Sequence, residues 1–372
     1  MEVGTRLNQN VSTEGMFSMQ EIKIAKTTQK KQKPDYTKLG FGNYFTDHMF
    51  LMNYSVEKGW YDPRIVPYAP LEIDPASMVF HYAQEIFEGM KAYMGEDGNV
   101  RLFRPSDNFK RLNTSAERLC IPSVDVDFAV DAIKQLVKID ADWIPTAPDT
   151  SLYIRPFVFA TDVHVGVHAS HTYLFVIILS PVGAYYAEGL APVRIMIESE
   201  DVRAVRGGSG ATKAGANYAI SLRAGERAAK LGFSQVLWLD GVERKYIEEV
   251  GAMNVFFKIN GEIVTPSLVG SILPGITRDS CIQVLRSWGL TVTERRLSID
   301  ELVEASENGT LEEAFGSGTA AVISPIGLVS YAGKEHTICN GKIGSLTQKL
   351  YNELTGIQWG RNADSFGWTV KL

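Results

Sequence analysis

Lys213 lies among small residues, with Gly207-Gly208-Ser209-Gly210-Ala211-Thr212 before it and Ala214-Gly215-Ala216 after it. A lysine that bonds covalently to a flat ring needs such neighbours, because the backbone must let the ring approach. The structural alternative is a glycine-rich surface loop carrying one solvated lysine. Further along, Glu248-Glu249-Val250-Gly251-Ala252-Met253-Asn254 sets two carboxylates directly before a turn into a strand. A pyridinium nitrogen stays protonated beside an anion, and a protonated ring withdraws electrons better. A solvated acidic turn is the competing reading of that segment.

Two further segments suit an anion. Leu273-Pro274-Gly275-Ile276-Thr277 precedes a helix, where free N–H groups attract negative charge and Thr277 adds a hydroxyl. Phe315-Gly316-Ser317-Gly318-Thr319-Ala320 is a small-residue turn of the kind that forms an N–H nest. Arg111 is a candidate to complete a phosphate cup, as are other arginines. The glycines before Lys213 also suggest a P-loop, but that motif ends in Gly-Lys-Ser/Thr and here the order is Thr212-Lys213-Ala214. His164, His168 and His171 have permissive metal-ligand spacing. They fall in a glycine-containing loop without a nearby cysteine, so surface histidines are expected and no metal site. Neither Gly-x-Ser-x-Gly nor a dinucleotide-binding fingerprint is present.

These groups need elements to carry them. Ser151–Ala160 is a predicted strand with Arg155 at its middle, and Thr172–Leu179 a continuous apolar strand. Helical spacing covers Ser106–Leu119 and Val126–Ile139, the latter with Phe128, Ala132, Leu136 and Ile139 on one face. Beyond a linker near residues 186–192 come predicted strands at Val193–Ile197, Gln235–Leu239, Asn254–Ile259, Glu262–Val264, Val322–Ser324 and Leu328–Tyr331. Asn260-Gly261 signals a hairpin. Helices fit Asn217–Lys230, Thr277–Trp288, Ile299–Ala305 and Ile343–Leu354. The expected fold is α+β with two domains and the active site between them. A flexible arm covers 1–39, with ordered structure from about Phe41, a small α/β domain 40–187 and a larger cofactor-binding domain 188–372.

The chain has 372 residues, 45% of them hydrophobic and 22% charged, which suits a globular protein with a large core. Its net charge of −6 argues against nucleic-acid partners. Three widely spaced cysteines, Cys120, Cys281 and Cys339, do not form a disulfide framework. With no membrane-spanning apolar run and no signal-peptide core, a cytoplasmic location is expected.

Taken together, the motifs resemble one family. The chain is similar to the branched-chain amino acid aminotransferases, class IV aminotransferases of the pyridoxal 5′-phosphate fold type IV. The resemblance runs from Phe41 to about Trp368. It rests on Phe41-Gly42 with Phe45-Thr46-Asp47-His48, Phe87-Glu88-Gly89-Met90-Lys91-Ala92, Arg101-Leu102-Phe103-Arg104-Pro105, Ser151–Pro156, Lys213–Tyr218, Glu249–Asn254, Leu273–Thr277 and Phe315–Ala320, in that order.

The resemblance implies roles. Lys213 matches the lysine that holds pyridoxal 5′-phosphate as a Schiff base and, once released, serves as base. Glu249 matches the carboxylate on the pyridine nitrogen, and Tyr218 the phenol near the ring's O3′. Arg111, Ile276, Thr277 and Thr319 match phosphate-binding positions, and Arg203 a further phosphate-side arginine. Phe41, Tyr153, Arg155, Tyr185 and Ala320 match the substrate pocket. Tyr82 matches a residue that reaches in from a partner subunit, so a homodimer is implied. The implied reaction moves the amino group of L-leucine, L-isoleucine or L-valine to 2-oxoglutarate. A D-amino acid aminotransferase or an aminodeoxychorismate lyase would share the lysine and the glutamate. Animal members often carry Cys-x-x-Cys after the glycine turn. Ala321 and Ser324 stand there, so no thiol switch is expected at that place.

Overall fold

The computed structural model describes residues 20–183 and 190–372. Their strands fall into two nine-stranded sheets. The first is mainly antiparallel. Its centre is the pair Ser151–Ala160 and Thr172–Val182, flanked by His48–Ser55 and Gly59–Pro67 on one side and by Met90–Met94 and Val100–Phe103 on the other. The apolar run predicted to be a buried strand is one: Phe175, Ile177 and Leu179 are fully covered. Helices Pro105–Arg118 and Val126–Ile139 pack on this sheet through Phe109, Leu112, Ala132 and Leu136. Asp125 caps the second helix, its carboxylate accepting from the Phe128 N–H at 2.7 Å.

Structure begins earlier than the expected start near Phe41. Lys23–Ile24 pairs in parallel with Gly59–Pro67, and the Lys31 N–H reaches Asp47 at 2.8 Å. The strand Thr369–Lys371 returns from the far end of the chain to pair with Val100–Phe103. A sequence window cannot show either pairing, because both partners are remote in the chain.

The second sheet closes on itself. Its strands run Ile247–Val250, Gln235–Leu239, Val193–Glu198, Val322–Tyr331, Leu311–Gly318 and Met253–Ile259, and Met253–Ile259 pairs back onto Ile247–Val250. Closure removes the free edges of these short strands. Ile195, Leu237, Val250, Val255 and Phe257 fill the interior. Asn260 and Gly261 both take positive φ, 51° and 80°, which makes the tight hairpin expected of Asn-Gly. Two expectations need correction. The helix foreseen at Asn217–Lys230 is two, Ala216–Ala219 and Leu222–Lys230. The segment Phe315–Gly318 is not a turn but the end of a strand. Its glycines belong there because a Cβ at Gly316 would fall 2.9 Å from the Met253 methyl.

The loop carrying Lys213 is fastened to the first sheet. Phe87 donates its N–H to the Lys213 carbonyl at 2.9 Å, and Ile86 bridges to Ala214. Gly215 lets the Glu85 carboxylate lie against the loop, since a Cβ there would fall 1.7 Å from a carboxylate oxygen and push that side chain away. The small residues around Lys213 therefore serve close packing between the two sheets. Arg104 reinforces the junction, donating to Asp279 at 2.6 Å and to Ser280 at 2.9 Å.

Candidate active site

A cleft of about 180 Å³ opens between the sheets. Its walls include Phe41, Arg111, Tyr153, Arg155, Lys213, Tyr218, Ile276, Thr277, Thr319 and Ala320, ten of the residues singled out in the sequence. A smaller cavity adjoins it, sharing Tyr218 and Asn254, and is lined by Arg203 and Glu249. Tyr82 is not brought to the cleft. It is 39% exposed, and its hydroxyl donates to the Val165 carbonyl. Tyr185 lies outside the described residues.

Lys213 Nζ points into the cleft and donates to the Tyr218 hydroxyl at 2.8 Å. The Phe87 ring lies under it, with the centroid 4.9 Å away. Burial lowers its pKa to about 8, and the nearby Arg111 charge acts in the same direction while Glu88 opposes it. A lysine held there carries an appreciable neutral fraction near pH 7, which is the nucleophilic form. The Tyr218 hydroxyl is shifted the other way, up to about 12, by burial and by Glu249. It stays a protonated hydrogen-bonding group.

Glu249 is buried at the end of its strand, and Oε1 accepts the Leu273 N–H at 2.8 Å. Arg203 Nε lies 3.4 Å from Oε2, near enough for attraction but not aligned as a hydrogen bond. Burial pushes the Glu249 carboxyl above the usual range, and Arg203 counters that. Arg203 is thus a neighbour of the acid, and is absent from the wall formed by Ile276 and Thr277.

The helix Ile276–Ser287 begins at Gly275 with no side-chain cap. Its first residues, Ile276 and Thr277, line the cleft, and a helix start there attracts an anion. Gly275 is needed for close approach, because a Cβ would sit 2.0 Å from Asn254 Oδ1. Arg111 stands close by. Its Nε and Nη2 hold Glu88 at 2.8 Å each, and Nη1 donates to the Pro274 carbonyl at 3.0 Å. Glu88, fully buried, was not singled out as a site residue, although it stands in a quoted motif. A glutamate between Phe87 and Gly89 gives no local sign of a partner 23 positions away.

Arg155 resolves the oddity of a charge inside an apolar strand. Its Nη2 donates to the Tyr153 hydroxyl at 3.0 Å, and the guanidinium stacks over Phe87 at 4.6 Å. Its Nε is buried without a partner. Arg155 lines the cleft, so that atom suits a polar ligand.

Lys91 is a second site residue that sequence reasoning missed. It donates to the Ala320 carbonyl at 2.7 Å. It approaches the turn Thr319–Ala321 from a separate cavity that shares Ala320 and Ala321 with the cleft. The turn ends in Val322, whose φ of 60° costs a β-branched residue about 1–2 kcal/mol. The pairing Gly318 with Val322 and the Lys91 bond together hold that strained geometry.

Comparisons with known proteins agree with this geometry. The family model for amino-transferase class IV matches residues 85–329. The branched-chain-amino-acid aminotransferase 2 of Bacillus subtilis (strain 168) is 60% identical over 96% of this chain and 98% of its own length. The crystal structure of the branched-chain amino acid aminotransferase of Escherichia coli superposes with a TM-score of 0.73 at 29% identity, covering 87% of this chain and 98% of that one. The branched-chain amino acid aminotransferase of Thermobaculum terrenum, in its PLP-bound holo form, gives a TM-score of 0.70 at 25% identity, covering 87% and 97%.

Proposed function

The chain belongs to the class IV aminotransferase family, and from that premise we propose that it is a branched-chain amino acid transaminase. It moves the amino group of L-leucine, L-isoleucine or L-valine to 2-oxoglutarate, giving branched 2-oxo acids and L-glutamate. The observation that carries this reading is the pairing of Lys213 and Glu249. A neutral-prone amine and a buried carboxylate stand in adjoining cavities, with Tyr218 forming part of both walls.

The residues fit pyridoxal 5′-phosphate. Lys213 would hold it through Nζ, Tyr218 and Glu249 would meet the ring, and Ile276, Thr277, Thr319 and Arg111 would take the phosphate. The uncapped helix start supports that assignment. Arg203 serves by keeping Glu249 charged. When bound, the cofactor supplies an electron sink for the bonds at the amino acid's α-carbon.

This chain's own residues do the rest. Lys213 Nζ, with its pKa near 8, takes and returns the α-proton. Tyr218 positions that amine through its 2.8 Å bond. Phe41 and Tyr153, whose rings meet edge to face at 5.0 Å, give the cleft an aromatic wall for a branched alkyl group. Arg155 and the Tyr153 hydroxyl supply the charge and polarity that the second carboxylate of 2-oxoglutarate requires.

A homodimer belongs to the same reading. Phe80 and Val163, Val165 and Val167 are exposed large apolar residues, and Tyr82 is bonded to the Val165 carbonyl among them. Such an apolar group suits a partner surface. A cytoplasmic location belongs to the same reading, as does the division at residues 40–187 and 188–372, with Lys23–Ile24 and Thr369–Lys371 joining the first sheet from outside the smaller unit. Among the described residues no helix is long and apolar enough to cross a membrane.

The test is direct. Protein purified with the cofactor should be yellow, and L-leucine should bleach it and yield a 2-oxo acid when 2-oxoglutarate is present. Turnover of D-alanine in place of L-leucine would transfer the reading to a D-amino acid aminotransferase.

A further inference from the structure

We propose that Asp162, His168 and His171 form a binding site for a zinc-class divalent cation, outside the cleft and independent of the transaminase reading. The loop between strands Ser151–Ala160 and Thr172–Val182 was expected to carry unconnected surface histidines. Instead it folds two of them onto one carboxylate oxygen. His168 Nε2 lies 3.2 Å and His171 Nδ1 2.9 Å from Asp162 Oδ2. All three ligand atoms fall within 4.8 Å of one another. Ligands bonded to tetrahedral zinc at about 2.0–2.2 Å stand roughly 3.3–3.5 Å apart, so small ring movements suffice.

The hydrogen bonds behind the ligands are those a metal site requires. His168 Nδ1 lies 3.0 Å from the Gly166 carbonyl and Nε2 3.2 Å from Asp162 Oδ2; both partners only accept, so a neutral ring can serve just one of them, and the shorter contact assigns its proton to Nδ1. In the neutral ring, Nε2 then presents a lone pair to the Asp162 carboxylate. Two lone pairs at 3.2 Å repel unless a positive centre lies between them, either a proton or a metal ion. A histidine whose outer nitrogen is held by a backbone carbonyl is the usual partner of bound zinc. The carboxylate is oriented too. Oδ1 accepts from the Thr172 hydroxyl at 3.0 Å, and Oδ2 also accepts the His171 N–H at 2.8 Å.

Asp162 is mostly covered, with a side-chain exposure of 15%, whereas His171 is 62% exposed. Water therefore has room to complete the coordination shell. Imidazole nitrogen and carboxylate oxygen favour zinc, nickel or copper over magnesium or calcium. Asp162 stands two residues past the end of one strand and His171 one residue before the next, so a cation here pins the base of the loop that carries Val163, Val165 and Val167.

The experiment is calorimetric titration of the full chain with Zn²⁺, paired with thermal unfolding with and without the ion. Wild type should bind one equivalent and gain thermal stability with it. Asp162→Asn and His168→Ala should each weaken binding by at least about tenfold and abolish that gain, and Thr172→Val, which removes the hydroxyl that orients Asp162 and also accepts from Thr161, should weaken it roughly tenfold. His164→Ala removes a ring that packs on His168 without being a ligand, and should bind as wild type does. Equal melting temperatures without zinc verify that the variants fold. Absence of stoichiometric binding to wild type, or equal binding to Asp162→Asn and His168→Ala, overturns the proposal.

Discussion

Two lysines stand on either side of the turn Thr319–Ala321, and burial lowers both to about the same pKa, near 8. Lys213 faces the open cleft, with a tyrosine hydroxyl as its hydrogen-bond partner. Lys91 is buried in a strand of the first sheet and ends on the Ala320 carbonyl. A perturbed pKa marks a candidate site residue, but here it does not separate the two. What separates them is the space in front of the nitrogen. Lys213 opens on the cleft of about 180 Å³, where a carbonyl carbon can reach it, whereas Lys91 lines a cavity of only about 40 Å³. The nitrogen of Lys91 is committed to a backbone oxygen.

The largest predicted difference follows from that contrast. Borohydride reduction of the cofactor-loaded protein, followed by peptide mapping, should place the label on Lys213 and none on Lys91. Lys213→Ala should abolish the label and lower turnover by at least about 10³-fold, because one group supplies both the covalent anchor and the base. Label on Lys91, or full turnover without Lys213, would break the comparison.

The second difference is in pH dependence. An amine attacks an aldehyde only in its neutral form. With a pKa of about 8, the neutral fraction of Lys213 falls as pH drops below that value and levels off above it. Cofactor uptake by apoprotein should therefore rise about tenfold per unit from pH 6 to pH 7 and flatten past pH 8, well before an ordinary lysine would. A small acylating reagent at pH 8 should modify Lys213 and spare Lys91 despite their equal pKa. Uptake that keeps climbing through pH 10 would show that the Lys213 amine is not depressed.

Much of this was legible in the sequence, and the limits have a physical cause. Lys213, Glu249, Thr277 and Thr319 announce themselves because each sits in a local motif whose small or polar residues serve that position. The strand Ser151–Ala160 and the helix Val126–Ile139 were found at their observed bounds, because period and length agree over ten or more residues. What escaped is what only the fold brings together. Glu88 gains its meaning from Arg111, Lys91 from Ala320, and Asp162 from two histidines beyond a glycine. None of these pairs leaves a periodic trace. The strand Leu311–Gly318 was missed whole, because its second half, Gly316-Ser317-Gly318, carries turn composition where close neighbours leave little room for larger side chains.

The smallest effect tests what Lys91 does from behind the turn. In a planar trans peptide the carbonyl of one residue and the N–H of the next point in opposite directions. Lys91 draws the Ala320 carbonyl toward its own side, so the Ala321 N–H is aimed away from it, and Ala321 also lines the cleft. A backbone N–H fixed in that direction is a donor for a substrate carboxylate. Lys91→Met keeps the length of the side chain and removes the donor. Its predicted consequence is a rise in KM for both the amino acid and 2-oxoglutarate with kcat little changed, worth about 1–2 kcal/mol or roughly tenfold. Thermal stability should hold or improve, since burial of the Lys91 cation outweighs the attraction of the nearby Asp149 carboxylate. A purely structural lysine would give the opposite pattern, a lower melting temperature with unaltered KM. The strained φ of Val322 makes the experiment more sensitive, because the Lys91 bond is one of the contacts that hold that strain in place.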